Sequence, residues 1–189
     1  FLNSIAICFD ITQKKIKENI NNIFKGSNKD NIFISLNGGR IKLTFGTIEN
    51  YLKYINDSSF IDFNYFIDLL SLPGIVNKDG INLFIFDRTV KLIDIDNKSK
   101  LKRIDDIHLY CHPEYELYDN DLKKESIILI RENTFFNPIF MIKKEYPKLK
   151  KFDIIKKFKY EDNNNNIIKH IIDYNNISCK NKVLLEKGS

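Results

Sequence analysis

Gly80-Ile81-Asn82-Leu83-Phe84-Ile85-Phe86 is the stretch on which the fold turns. The run after the glycine is nearly all apolar, too short for a buried helix and too continuous for a strand with one wet face. It predicts a central strand covered on both sides, so the chain must supply two apolar layers. Downstream, residues 107–111 predict another short strand. Residues 126–131 and 135–142, joined through Glu132-Asn133-Thr134, predict a hairpin. Pro138 must sit at its edge or at a strand entry, having no N–H to give a ladder.

Upstream, residues 31–46, NIFISLNGGRIKLTFG, predict a further hairpin. Phe33 and Ser35 alternate on one side of Asn37-Gly38-Gly39, which accept the positive φ of a tight turn, and Ile41, Lys42 and Leu43 follow on the other. Helical signals surround it. Thr12 can cap a helix carrying Ile16, Ile20, Ile23 and Phe24, stopped by Gly26, and the segment from Leu2 to Phe9 reads as earlier turns of a buried helix or a short strand. Thr47 can cap a helix with Ile48, Tyr51, Leu52 and Ile55 on its inner face. Another helix from Asp62 through Phe63, Phe66, Ile67 and Leu70 ends at Pro73-Gly74.

These elements predict an α+β fold in which N-terminal helices pack a central mixed or antiparallel sheet of five to six strands. After residue 143 the chain turns basic, then polar with the four asparagines 163–166, then helical over 167–174. The expected division is a core over 1–143 and a basic, helical extension over 144–189. At 189 residues with 43% hydrophobic content, a sizeable core is affordable. Ile, Asn and Lys abound, Trp is absent and Ala6 is the lone alanine. No run of about 18 apolar residues spans a bilayer, and FLNSIAICFD lacks the basic region and cleavage site of a signal peptide. The missing initiator Met suggests a piece of a longer polypeptide. Cys8, Cys111 and Cys179 are an odd, widely spaced set without a C-x-x-C pair. That pattern argues against a disulfide framework or structural zinc and for a reducing compartment.

Positive charge is concentrated in one place. Between Lys143 and Lys159 eight lysines (Lys143, Lys144, Lys148, Lys150, Lys151, Lys156, Lys157, Lys159) face two acids, Glu145 and Asp153. The chain as a whole has 30 basic and 25 acidic residues, so the remainder is near neutral. Lysines of this density track phosphates by releasing condensed counterions, and Tyr146, with Phe152, Phe158 and Tyr160, supplies rings on which bases stack. This segment is the expected nucleic-acid contact.

Catalytic groups are sparse. Cys111 and His112 are neighbours on an extended chain and point to opposite faces, so they do not pair as nucleophile and base. Cys8 and Cys111 read as core and His112 as a turn residue before Pro113. Carboxylates such as Asp94 and Asp96 lack the rest of a calcium loop. Gly38-Gly39-Arg40 lies between strand-like patterns rather than between a strand and a helix, unlike a phosphate loop. Asp68, Asp87 and Glu125 or Glu132 could surround Mg²⁺ as in a nuclease, but neither Asp87-Arg88-Thr89 nor Glu125-Ser126-Ile127 carries the acid-x-Lys signature. No catalytic residue, metal ligand or cofactor is assigned.

Three residue groups together resemble a known family. Asn37 to Tyr51, then Gly80 to Phe86, then Ser126 to Ile130 with Phe135-Phe136-Asn137-Pro138-Ile139, are similar to a segment of the early transcription factor large subunit of nucleocytoplasmic large DNA viruses. The family's Tyr-Tyr-Glu-Pro-Ile strand stands here as Phe-Phe-Asn-Pro-Ile. The resemblance implies a non-enzymatic module of a viral promoter factor, working with a helicase-like subunit and the viral RNA polymerase. The order of a Phe-Leu-Asn-Ser-Ile-Ala helix, an Asp-Leu-Leu-Ser-Leu helix, the apolar strand and the last hairpin also looks like that of ovarian-tumour-type cysteine proteases, which are deubiquitinases. There a nucleophilic Cys just precedes the first helix and a His-Tyr pair opens the last hairpin strand. Phe135-Phe136 stands in place of His-Tyr, which implies an inactive relative, since no imidazole generates the thiolate. The expectation is therefore a non-enzymatic binding or scaffolding module of a large viral protein in viral gene expression. Its partners would be nucleic acid and other viral proteins, with no membrane, in the reducing host cytoplasm.

Overall fold

A computed structural model describes residues 1–58, 61–94, 101–112, 122–143, 153–160 and 167–187. The first layer is helical: α1 (Leu2–Phe9), α2 (Gln13–Ile23), α3 (Lys29–Ser35), α4 (Arg40–Phe45), α5 (Ile48–Asp57) and α6 (Ile67–Ser71). Both threonine caps form as the sequence indicates. Thr12 Oγ1 accepts the Lys15 N–H at 3.1 Å and Thr47 Oγ1 accepts the Asn50 N–H at 3.2 Å. Ile16 and Ile20 of α2 and Tyr51 and Ile55 of α5 are fully buried. Asp62 caps a 3-10 turn, Phe63–Tyr65, rather than a continuous helix, and α6 follows it.

The fold is α+β as expected, and its main sheet is mixed, one of the two expected forms, with four strands and two more in a separate ladder in place of one sheet of five to six. β1 (Ile81–Asp94), β2 (Leu101–Leu109), β3 (Glu125–Glu132) and β4 (Phe135–Pro138) lie in the order β2-β1-β3-β4. β1 is antiparallel to β2 and parallel to β3, and β3 forms a hairpin with β4. Asn133, at φ 55°, makes that hairpin's turn. Pro138 ends β4, the edge strand, where a missing N–H costs no ladder bond. A separate two-stranded ladder joins β5 (Met141–Lys143) to β6 (Asp153–Ile155), and α7 (Ile167–Lys187) closes the described chain.

The apolar run is central and buried on both sides. Leu83, Ile85, Ile127 and Leu129 face the α1–α6 layer with Ile5, Phe66 and Leu70. Phe84 and Ile128 face the other way, toward Leu109, Phe158, Ile168 and Ile172. Register makes this work: Phe84 pairs with Ile128 and Ile85 with Leu129, so like faces meet across the strands. Beyond Asp87, β1 has only β2 beside it, which is why the sequence loses its double-sided apolar character there.

Two expectations are overturned. Residues 31–46 are not a hairpin but α3, a 3-10 turn Leu36–Gly39, and α4. Asn37, Gly38 and Gly39 do adopt positive φ, at 49°, 60° and 92°, but the corner they make joins helices. Phe33, Leu36 and Ile41 turn inward while Ile34 and Leu43 point to water, a helical period that burial against Phe24 and Tyr51 selects. The second correction concerns the cysteines. Cys111 and Cys179 form a disulfide with Cα atoms 5.2 Å apart, because α7 folds back over the second face and sets Cys179 against the chain just beyond β2. A separation of 68 residues gives no hint of this pairing in the sequence. Cys8 remains a buried thiol, as expected of a core position.

Candidate functional site

A cleft of about 520 Å³ opens where the start of α1, the 3-10 turn and the β3–β4 turn converge. Its floor is aromatic. The Phe1 and Phe136 rings are 5.1 Å apart and Phe63 and Phe136 are 5.3 Å apart. Ser4 of α1 donates to the Phe136 carbonyl at 2.6 Å, which fixes the helix against the edge strand. The rim is polar, with Asn3, Gln13, Asp62, Asn64, Asn133 and Thr134.

Arg131 forms one wall. Its Nε and Nη2 donate to the two oxygens of Asp87 at 2.5 and 2.7 Å, a two-pronged pair between adjacent positions of the parallel strands. The guanidinium also lies 4.7 Å from the Phe63 ring centre and 5.4 Å from that of Tyr110. Tyr110 donates its hydroxyl to Asn64, whose amide in turn donates to Asp62 at 2.9 Å. Burial pushes the Tyr110 hydroxyl up to about 12. On the far side of Arg131 a polar groove of about 410 Å³ holds Asp87, Arg88, His108 and Glu132, with Arg88 bonded to Asp105 at 2.8 Å.

Among the described residues, the lining of the first cleft carries neither thiol nor imidazole. Burial pushes the Cys8 thiol up to about 11, and Cys111 is spent in its disulfide. The acids weighed for a metal site are scattered among other partners. Asp68 accepts the Asn37 N–H, Asp87 holds Arg131, Glu125 meets Asn77 and Lys157, and Glu132 meets Arg88. No group of three or more His, Cys, Asp or Glu among the described residues is placed to hold a metal ion. His112 is buried beside Asn37 and Arg40, and His170 lies on α7.

Of the predicted nucleic-acid residues, Lys144, Tyr146, Lys148, Lys150 and Lys151 lie outside the described residues, as does Phe152. Lys143 ends β5. Lys156 is ion-paired to Asp10, and Lys157 sits 3.5 Å from Glu125 and 5.1 Å from the Phe9 ring centre, so these two fasten the segment to the body. Lys159 is exposed. Phe158 is no stacking platform. It is core, and its backbone exchanges two 2.8 Å hydrogen bonds with Ser126. Tyr160 is half-buried against the same cluster. Sequence reasoning passed over Arg131, Phe63 and Tyr110 as site residues; the available signal was an arginine and an aspartate each ending an apolar strand run, which only the register joins.

The chain is 29% identical over its full length to an uncharacterized protein of Acanthamoeba polyphaga mimivirus. It spans only 12% of that relative, which is thus a far longer polypeptide. The similarity supports an origin in a nucleocytoplasmic large DNA virus. No protein-family model matches the chain, and no solved structure matches it. No described helix is long and apolar enough to cross a membrane.

Proposed function

We propose that this chain is a non-enzymatic binding module of a large viral protein, and that the cleft beside α1 takes an extended segment of a partner polypeptide. The observation that carries the reading is the cleft's make-up: a phenylalanine floor, an amide-rich rim and a wall held rigid by the Asp87–Arg131 pair. Aromatic floors bury side chains while amides match the alternating donors and acceptors of a peptide backbone. The volume lies within the roughly 300–1,000 Å³ of ordinary ligand sites.

The resemblance to ovarian-tumour-type proteases adds to this. Their nucleophile precedes the first helix and their imidazole opens the last hairpin strand; here α1 and β4 meet at the cleft, and Phe135 and Phe136 stand where His-Tyr would be. A relative without its base retains a peptide cleft and loses the chemistry. The setting in viral gene expression rests on the resemblance to the early transcription factor large subunit alone.

The test is binding of a random-peptide display library and of ubiquitin, whose tail is extended, to wild type, Arg131→Ala and Phe136→Ala proteins of verified fold. Wild type should enrich an extended motif or bind ubiquitin, and both variants should lose it. Failure of wild type to select anything, or undiminished binding by the variants, would sink the reading. Ubiquitin bearing a cysteine-reactive group should form no adduct; stoichiometric labelling of native protein would instead favour an active protease.

A further inference from the structure

We propose that the Cys111–Cys179 disulfide is a redox-operated clasp that decides whether α7 covers the second face of the sheet, a device independent of the cleft. The buried stripe of α7 is Ile168, Ile172, Asn175 and Cys179, spaced four, three and four as one side of a helix requires. Cys179, fully buried, is the last residue of that stripe with a described side chain, and the covalent link ties it to the chain just beyond β2.

Among the described side chains the apolar contacts of α7 are few. Beside Ile167 and Ile171 an apolar groove of about 660 Å³ stays open, floored by Phe86, Ile128 and Ile130, which α7 does not fill. On its outer side the helix exposes Tyr174 and Ile177. Among its described side chains α7 is seated on Ile168, Ile172 and the partly buried Ile171, with one covalent bond, whereas the helices opposite interlock through many fully buried side chains, so α7 depends on its bond far more than they do on any single contact.

The sulfurs differ in access. Cys111 is half-buried in the irregular chain after β2, whereas Cys179 is sealed under α7. The thiolate of an external dithiol would attack Cys111 Sγ, breaking the S–S bond and releasing Cys179 as a thiolate that takes a proton from solvent. The donor's second thiol then attacks the mixed disulfide and leaves as its own disulfide, and Cys111 becomes a thiol. The protein gains two electrons and two protons, which the dithiol supplies; a small-molecule disulfide reverses the step. Cys8 lies with α1 on the other face of the sheet, and its buried, high-pKa thiol does not enter the exchange. Release of α7 uncovers Phe84, Leu109 and Ile128 while the α1–α6 layer stays in place.

The experiment equilibrates the full chain in buffers of reduced and oxidised dithiothreitol at stepped ratios, counts thiols by alkylation and mass, and follows amide hydrogen exchange. Loss of protection over 167–187 should coincide with reduction and reach roughly 30-fold or more, the lower end of what a link closing so long a loop supplies. Protection in β3 and α5 should hold. Cys111→Ser and Cys179→Ser should each behave as the reduced form in every buffer. Unchanged α7 protection after complete reduction, unfolding of the whole chain on reduction, or two cysteines that stay unlinked in oxidising buffer would each overturn the proposal.

Discussion

The two faces of the sheet are built differently from neighbouring residues of the same strands. Leu83, Ile85 and Leu129 enter a layer where Tyr51, Phe66, Leu69 and Leu70 are sealed from water, while Phe84 and Ile128, one residue along, enter a layer that, among the described residues, is closed by α7, Phe158, the β5–β6 ladder and a disulfide. One strand sequence therefore feeds a packed core and a covered groove. Double-sided burial says that both faces must be capped, not that both caps are equally firm.

The firmness of each cap can be measured by truncation. Phe66→Ala, in the middle of the helical layer, should cost about 3–5 kcal/mol in denaturant unfolding, the usual loss for a sealed aromatic. Phe84→Ala should cost less, about 2–4 kcal/mol, because the looser second layer can settle into the space; equal losses would show that the two faces are packed alike. Asp87→Ala leaves the Arg131 guanidinium without its carboxylate and should cost about 1–3 kcal/mol, read from the same curves.

Tyr110→Phe removes the hydroxyl bond to Asn64 at about 1 kcal/mol near neutrality. It should also change the alkaline limb. The Tyr110 proton is held more tightly when folded, at about 12 against an ordinary 10.0, so its contribution is whole below pH 10 and is lost as the pH rises from there toward 12. The phenylalanine variant should show a shallower loss across that window, and identical slopes would remove Tyr110 from the account. Smallest of all, Phe135→Ala should fall within about 0.5 kcal/mol, since that ring is 71% exposed at the start of the edge strand. A larger loss would mean that the ring is covered in solution.

The sheet centre and the helix caps were legible because each rests on a local pattern with one physical solution. A six-residue run with five apolar positions at strand length, a proline that must avoid a ladder and threonines three residues before a free N–H leave little choice. Residues 31–46 failed because Asn37-Gly38-Gly39 supplies positive φ to a hairpin or to a helix corner alike, and the packing of Phe33 on Phe24 and Tyr51 decides between them. The cleft's floor was not legible, since Phe1, Phe63 and Phe136 are scattered along the chain and only the fold brings their rings together. Nor was its wall, since Arg131 and Asp87 are 44 residues apart and meet only through a parallel register. The disulfide was hidden for the same reason, and the odd cysteine count concealed a pair plus one.

The bond from Ser4 to the Phe136 carbonyl spans 132 positions of the chain. On a ribosome adding about 5–20 residues per second, α1 emerges roughly 7–26 s before the strand it leans on. Throughout that interval Leu2, Ile5 and Ala6 have no β4 to dock against, and β3, which supplies Ile127 and Leu129, is equally late. The nascent protein therefore passes through synthesis as a set of greasy helices awaiting their platform, a period in which a chaperone has more to hold than it ever would on the finished fold.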